Sequence, residues 1–103
     1  MSGYQEVQTK LDEIVTEMKE IGFWQDAPLE PEQYDFRAAF ALDTMAFNQW
    51  LQFIFVPRVG QILDSQGTFP TRSQVGAQAI REFDTVPEAA QLVELLCAFD
   101  ALF

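Results

Sequence analysis

Residues 40–58 read FALDTMAFNQWLQFIFVPR, and no other stretch limits the fold of this chain as much. Phe40, Phe47, Trp50, Phe53 and Phe55 all fall within it. Each large side chain left in water forfeits about 1.5–3 kcal/mol of burial free energy, so the segment belongs at the centre of the fold or at an interface. Read as a helix, it carries two apolar faces. Trp50, Phe53, Ile54, Pro57 and Ile62 follow one; Phe47, Leu51, Phe55 and Val59 follow the other. Such a helix is expected to be covered on more than one side. Asp43 and Thr44 are both strong N-cap types, which predicts a start just after them and a run to Ser65, ahead of Gly67. Pro57 has no N–H for the carbonyl of Phe53, and this predicts a kink.

Three further helices follow from apolar spacing. Val7, Leu11, Ile14, Val15, Met18 and Ile21 recur at three and four residues, predicting a helix over 4–21 that Gly22 ends. Val75, Ala79, Ile80 and Phe83 predict a third helix over 73–83 with these side chains inward. Thr85-Val86-Pro87-Glu88 has the form of a capping box with Thr85 as N-cap. The stripe behind it runs through Leu92, Val93, Leu95, Leu96, Phe99, Leu102 and Phe103. Between the first two helices, Asp26, Pro28 and Pro31 mark a long connection with room for one helical turn after Pro31. Trp24 and Tyr34 are expected to pin it to the helical body. At 103 residues, without repeats, the chain is expected to form one domain, 1–103: an all-α, small four-helix bundle with a kinked central helix.

Composition narrows the function. Sixteen Asp and Glu face six Lys and Arg, a net charge of −10, and the cations Lys10, Lys19, Arg37, Arg58, Arg72 and Arg81 are scattered. Phosphate binding needs clustered cations, so direct contact with nucleic acid is not expected. Apolar runs such as 53–57 are far too short to cross a bilayer. The first twenty residues alternate charges in a way no signal peptide does, so a cytoplasmic protein without membrane contact is expected.

Nor do the residues offer a catalytic set. The chain has no His and a single cysteine, Cys97, set in an apolar run where it reads as a small buried hydrophobe. Glu13, Glu17 and Glu20 read as a solvated face, not as metal ligands. Phosphate loops, nucleophile elbows and zinc spacings are missing. No catalytic residue, metal or cofactor is expected, and the chain is not expected to be an enzyme. Asp43 and Arg58 lie about 22 Å apart along an unbroken helix, so Arg58 is expected to pair elsewhere or to serve a partner.

Phe40, Asp43-Thr44-Met45, Trp50-Leu51-Gln52, Pro57-Arg58, Leu63-Asp64 and Pro70, in that order, resemble the YqcC-like family of small bacterial proteins. Trp24 and the closing Leu95…Asp100-Ala101-Leu102-Phe103 extend the resemblance over nearly the whole chain. It implies a small helical bundle of uncharacterised function, encoded in many bacteria beside a tRNA pseudouridine synthase. A synthase in its own right needs a catalytic Asp in a large mixed domain with a basic cleft, which this short acidic chain does not offer. The resulting expectation is a protein-interaction module, accessory to an RNA-modifying enzyme. Trp50, Gln52, Phe53, Pro57 and Arg58 form its candidate surface, because aromatic anchors beside an Arg dominate contact hot spots. Core and interface both remain open for Trp50 and Phe53. The alternative is a bundle that holds a small apolar ligand near these two residues. A homodimer through the surplus apolar stripe is compatible with either.

Overall fold

The computed structural model describes residues 3–103, except for the side chain of Ala39, and shows four main helices with no strand among those residues. The first helix, Tyr4–Glu20, buries Val7, Leu11, Ile14 and Met18. Spacing of three and four residues puts these on one stripe, as the sequence predicts. Gly22 then takes a φ of 78°. Its N–H donates to the Lys19 carbonyl at 3.3 Å, and the Phe23 N–H donates to Met18 at 2.8 Å. This left-handed closure satisfies carbonyls that would otherwise be orphaned at the helix end.

The central helix covers residues 47–65 in three parts: an α-turn Phe47–Trp50, a π-turn Leu51–Phe55 and an α-helix Val56–Ser65. Its irregularity lies one turn before Pro57 rather than at it. The Val56 N–H donates to the Leu51 carbonyl, five residues back, and Phe55 and Val56 keep right-handed helical dihedrals. A proline ring crowds the carbonyl four residues behind it, and a widened turn ahead of the ring relieves that contact without breaking the helix. Phe47, Leu51, Phe55 and Val59 are buried, and so are Trp50 and Ile54. Most of both faces is covered within the chain. Phe53 is half-buried, and Pro57 is exposed.

The expected caps at Asp43 and Thr44 are not where this helix begins. Ala46 occupies the N-cap, and its N–H donates to Oε1 of Gln49 at 2.9 Å. Asp43 and Thr44 instead order the loop before it. The Arg37 and Ala38 N–H groups donate to the Asp43 carboxylate at 3.0 and 3.3 Å, and the Thr44 hydroxyl donates to the Gln33 carbonyl at 2.6 Å. That loop holds Phe40 and Ala41 at φ of 58° and 55°, left-handed values that cost a side-chain-bearing residue about 1–2 kcal/mol. Edge-on packing of Phe40 against Trp50, 4.9 Å between ring centroids, helps to hold it there.

The third helix, Val75–Glu82, starts two residues later than predicted. Ser73 lies ahead of it, and its hydroxyl donates to Asp100 at 2.6 Å. Val75 and Ala79 point inward, whereas Ile80 is 54% exposed, contrary to its place in the predicted stripe. The final helix, Ala90–Asp100, is preceded by a 3-10 turn, Pro87–Ala89, whose N-cap is Val86 and which has no side-chain cap. Thr85 therefore does not cap it. Leu92, Leu95, Leu96 and Phe99 are buried, and the helix that carries them packs against the first and third helices. Gly76 sets that crossing: a Cβ there would lie 2.6 Å from Cys97 Cα, so no larger residue fits without moving backbone.

The connection from the first to the central helix contains two 3-10 turns, Pro31–Tyr34 and Ala39–Ala41. Trp24 packs partly against the core, with Lys19 Nζ 5.3 Å from its ring centroid. Tyr34 is 50% exposed and pins nothing; buried Leu29 takes that part.

Candidate functional site

Of the five residues of the predicted surface, two are inside. Trp50 stacks on Phe47 at 5.7 Å and on Phe55 at 5.9 Å, and only 8% of it is exposed. Gln52 is the one buried polar side chain among the described residues. Its Oε1 accepts the Gln25 N–H at 2.9 Å and its Nε2 donates to the Gln25 carbonyl at 2.7 Å. Successive helical residues point about 100° apart, so Gln52 and Phe53 point to other sides of the helix than Arg58. The five do not make one surface.

Trp50 and Arg58 do meet, however, as parts of a half-open cleft of about 270 Å³. The central helix supplies Trp50, Phe55, Arg58 and Val59. The chain beyond Gln66 folds back and adds Phe69, Arg72 and Val75, and Phe99 of the final helix closes the wall together with Phe103 beyond its end. The rings of Phe99 interlock with those of Phe55 at 5.0 Å and Phe103 at 5.1 Å, and Phe69 meets Phe103 at 5.5 Å. These offset and edge contacts fix the wall at close to interior density. Tyr4 braces the fold-back: its hydroxyl lies 2.8 and 2.6 Å from the carbonyl oxygens of Gln66 and Gly67.

The electrostatics of the cleft invert those of the chain. Two of the six cations line it and none of the sixteen acids does. Arg58 and Arg72 are both exposed, and the ion pair found among the described residues is elsewhere, between Lys10 and Glu13 at 3.1 Å. Asp100 lies directly behind the cleft: its carboxylate accepts from the hydroxyl of Ser73 and the N–H of Val75, both lining residues, and from the Gly76 N–H, at 2.6, 3.1 and 2.8 Å. The site offers apolar walls, two guanidinium groups and the Ser73 hydroxyl, which is held by Asp100.

Titration is shifted at two other places. Hydrogen bonds from the Arg37 backbone, then Ala38, hold Asp43 below the ordinary carboxylate range against a smaller opposing effect of desolvation. Burial, with the Asp100 charge as a lesser cause, pushes the Cys97 thiol up. Among the described residues no cluster of His, Cys, Asp or Glu could hold a metal ion, and no helix is long and apolar enough to cross a membrane.

The sequence singled out Arg58 and Trp50 but missed Arg72, Phe69 and Phe103 as their neighbours. An Arg two residues beyond a Pro in a turn-rich stretch carries no signal of where the turn returns.

Known proteins place the chain in a family. It is 31% identical over 100 residues to an uncharacterized protein of Haemophilus influenzae, covering 92% of each. It is 27% identical to the uncharacterized protein YqcC of Escherichia coli K12 across all of this chain and 95% of that one. The solution NMR structure of E. coli YqcC superposes with a TM-score of 0.85 at 25% identity, over 99% of this chain and 88% of the other. A Pectobacterium carotovorum protein named tRNA pseudouridine synthase C contains a stretch 39% identical over 70 residues, 68% of this chain but only 19% of that protein. The family model described as "tRNA pseudouridine synthase C" matches residues 6–102, and with relatives aligned end to end this chain belongs to that family, the small helical proteins like YqcC.

Proposed function

We propose that this chain is a cytoplasmic docking module that binds a tRNA-modifying enzyme of the pseudouridine synthase class and performs no chemistry of its own. One observation carries this: in Pectobacterium a stretch like this chain makes up about a fifth of a protein named tRNA pseudouridine synthase C. A module tethered within one polypeptide meets its neighbour at an effective concentration on the order of millimolar. The same module as a separate chain must reach that neighbour through a surface of its own.

Arg58 supports the choice of surface. It is exposed beside exposed Pro57 and is unpaired among the described residues, and Arg is the charged type most enriched at contact hot spots. The net charge of −10 keeps the module off tRNA phosphates, so its contact is with the protein component. The test is titration of the purified chain into the tRNA pseudouridine synthase C of the same bacterium, followed by calorimetry and light scattering. A defined complex that Arg58→Glu weakens at least tenfold, with an unchanged melting temperature, is expected. No heat of binding and no rise in scattering mass at tens of micromolar would sink the proposal.

A further inference from the structure

We infer that the cleft between Arg58 and Arg72 is a binding site for an amphipathic carboxylate, an apolar body of about ten carbons with one anionic head. Size sets the body. A dry cavity of about 150 Å³ accepts benzene, so the 270 Å³ cleft scales to roughly ten carbons. Its walls are the rings of Trp50, Phe55, Phe69, Phe99 and Phe103, which reward an alkyl or fused-ring body and offer little to a sugar or a base edge.

Charge sets the head. Arg58 and Arg72 come from segments that only the fold brings together, both line the same opening, and no Asp or Glu side chain lines it. Besides Asp100, the other fifteen of the chain's sixteen Asp and Glu residues disfavour an anion over the rest of its surface. Guanidinium groups bind carboxylates through paired N–H donors, and such bonds are roughly twice as strong as neutral ones. Asp100, bonded to Ser73, Val75 and Gly76, keeps its charge behind the cleft, but it forms no ion pair with Arg58 or Arg72, and both guanidinium groups stay exposed.

A matched probe series tests this: decanoate, decanol and decylammonium, which share a tail and differ in head charge. Because Arg58 also stands in the docking surface proposed above, the chain is titrated alone, so failure here leaves that proposal standing. Trp24 is replaced by Phe to make Trp50, in the cleft wall, the sole tryptophan reporter. Decanoate is expected to saturate the Trp50 signal at one equivalent, with Kd on the order of 100 µM. Decanol should bind about tenfold more weakly and decylammonium not measurably. Arg58→Gln and Arg72→Gln should each weaken decanoate about tenfold and leave decanol unchanged, which separates loss of the head contact from loss of fold. Equal affinity for decanoate and decanol would overturn the inference. So would NMR shifts that map to Thr68 and Leu102 on the other side of Phe69. A chain that ignored all three probes, yet bound the synthase through Arg72, would show the cleft to be a protein groove and overturn it equally.

Discussion

The side-chain amide of Gln52 pairs with the backbone of Gln25 in both directions, accepting its N–H at 2.9 Å and donating to its carbonyl at 2.7 Å. Gln49 adds a third strut, donating to Gln25 Oε1 at 3.1 Å. The long connection has only short 3-10 turns of its own, and these amides tie it to the central helix.

Gln52→Ala is therefore expected to cost about 1–2 kcal/mol, since it strands two part-buried backbone groups. Gln52→Met is the control, because it fills the space but cannot pair. Urea unfolding compares the three. Full recovery of stability in Gln52→Met would show that packing, not hydrogen bonding, holds the connection.

Two glycines should respond with opposite signs. At Gly76 an added Cβ meets the Cys97 backbone at 2.6 and 2.7 Å, and Gly76→Ala should destabilise by about 1–3 kcal/mol through overpacking. At Gly60, inside the central helix, a Cβ meets nothing within 4 Å. Gly60→Ala should stabilise by about 0.5–1 kcal/mol, by lowering the entropy of the unfolded chain. Equal effects in thermal melts would contradict the helix crossing described above.

Asp100 closes the final helix and caps the third, receiving three donors from residues 73–76. Loss of a carboxylate cap commonly costs about 1–2 kcal/mol, and Asp100→Ala should show it. Hydrogen exchange should quicken first at Val75 and Gly76. Uniform quickening across all helices would instead point to global destabilisation.

Asp43 gives a pH signature. Its folded pKa lies below the ordinary value, so its stabilising contribution is complete above that value, about pH 4, and is lost as pH falls through the lowered one. The melting-temperature gap between wild type and Asp43→Asn should be constant from pH 5 to 7 and close below about pH 4. A gap that persisted at pH 2 would mean the carboxylate charge contributes nothing.

Cys97 should be slow to alkylate at pH 8, because burial raises its pKa and thins its thiolate fraction. Iodoacetamide labelling should accelerate in urea to the rate of an unstructured thiol. Rapid labelling of the folded chain would show the third and final helices opening at Gly76.

The sequence alone determined the elements with strong periodicity. The stripe Val7, Leu11, Ile14, Met18 and the dense segment around Trp50 specify their helices because apolar spacing at 3.6 residues is a local property. Gly22 likewise marks a helix end that its backbone freedom makes available. Asp43, Thr44 and Thr85 misled for the same local reason: their types favour caps, but Asp43 and Thr44 bond across the preceding loop, and Thr85 precedes a turn with no side-chain cap. Tertiary structure decided which side chains meet. Gln52 finds Gln25 across 27 residues, and Arg72 reaches the cleft of Arg58 only because the chain turns back after Gln66. Those pairings depend on how packed faces and loop closures settle together, and neighbouring residues carry no record of them. The helices were therefore legible in the chain, whereas the acid-free cleft became visible only in the fold.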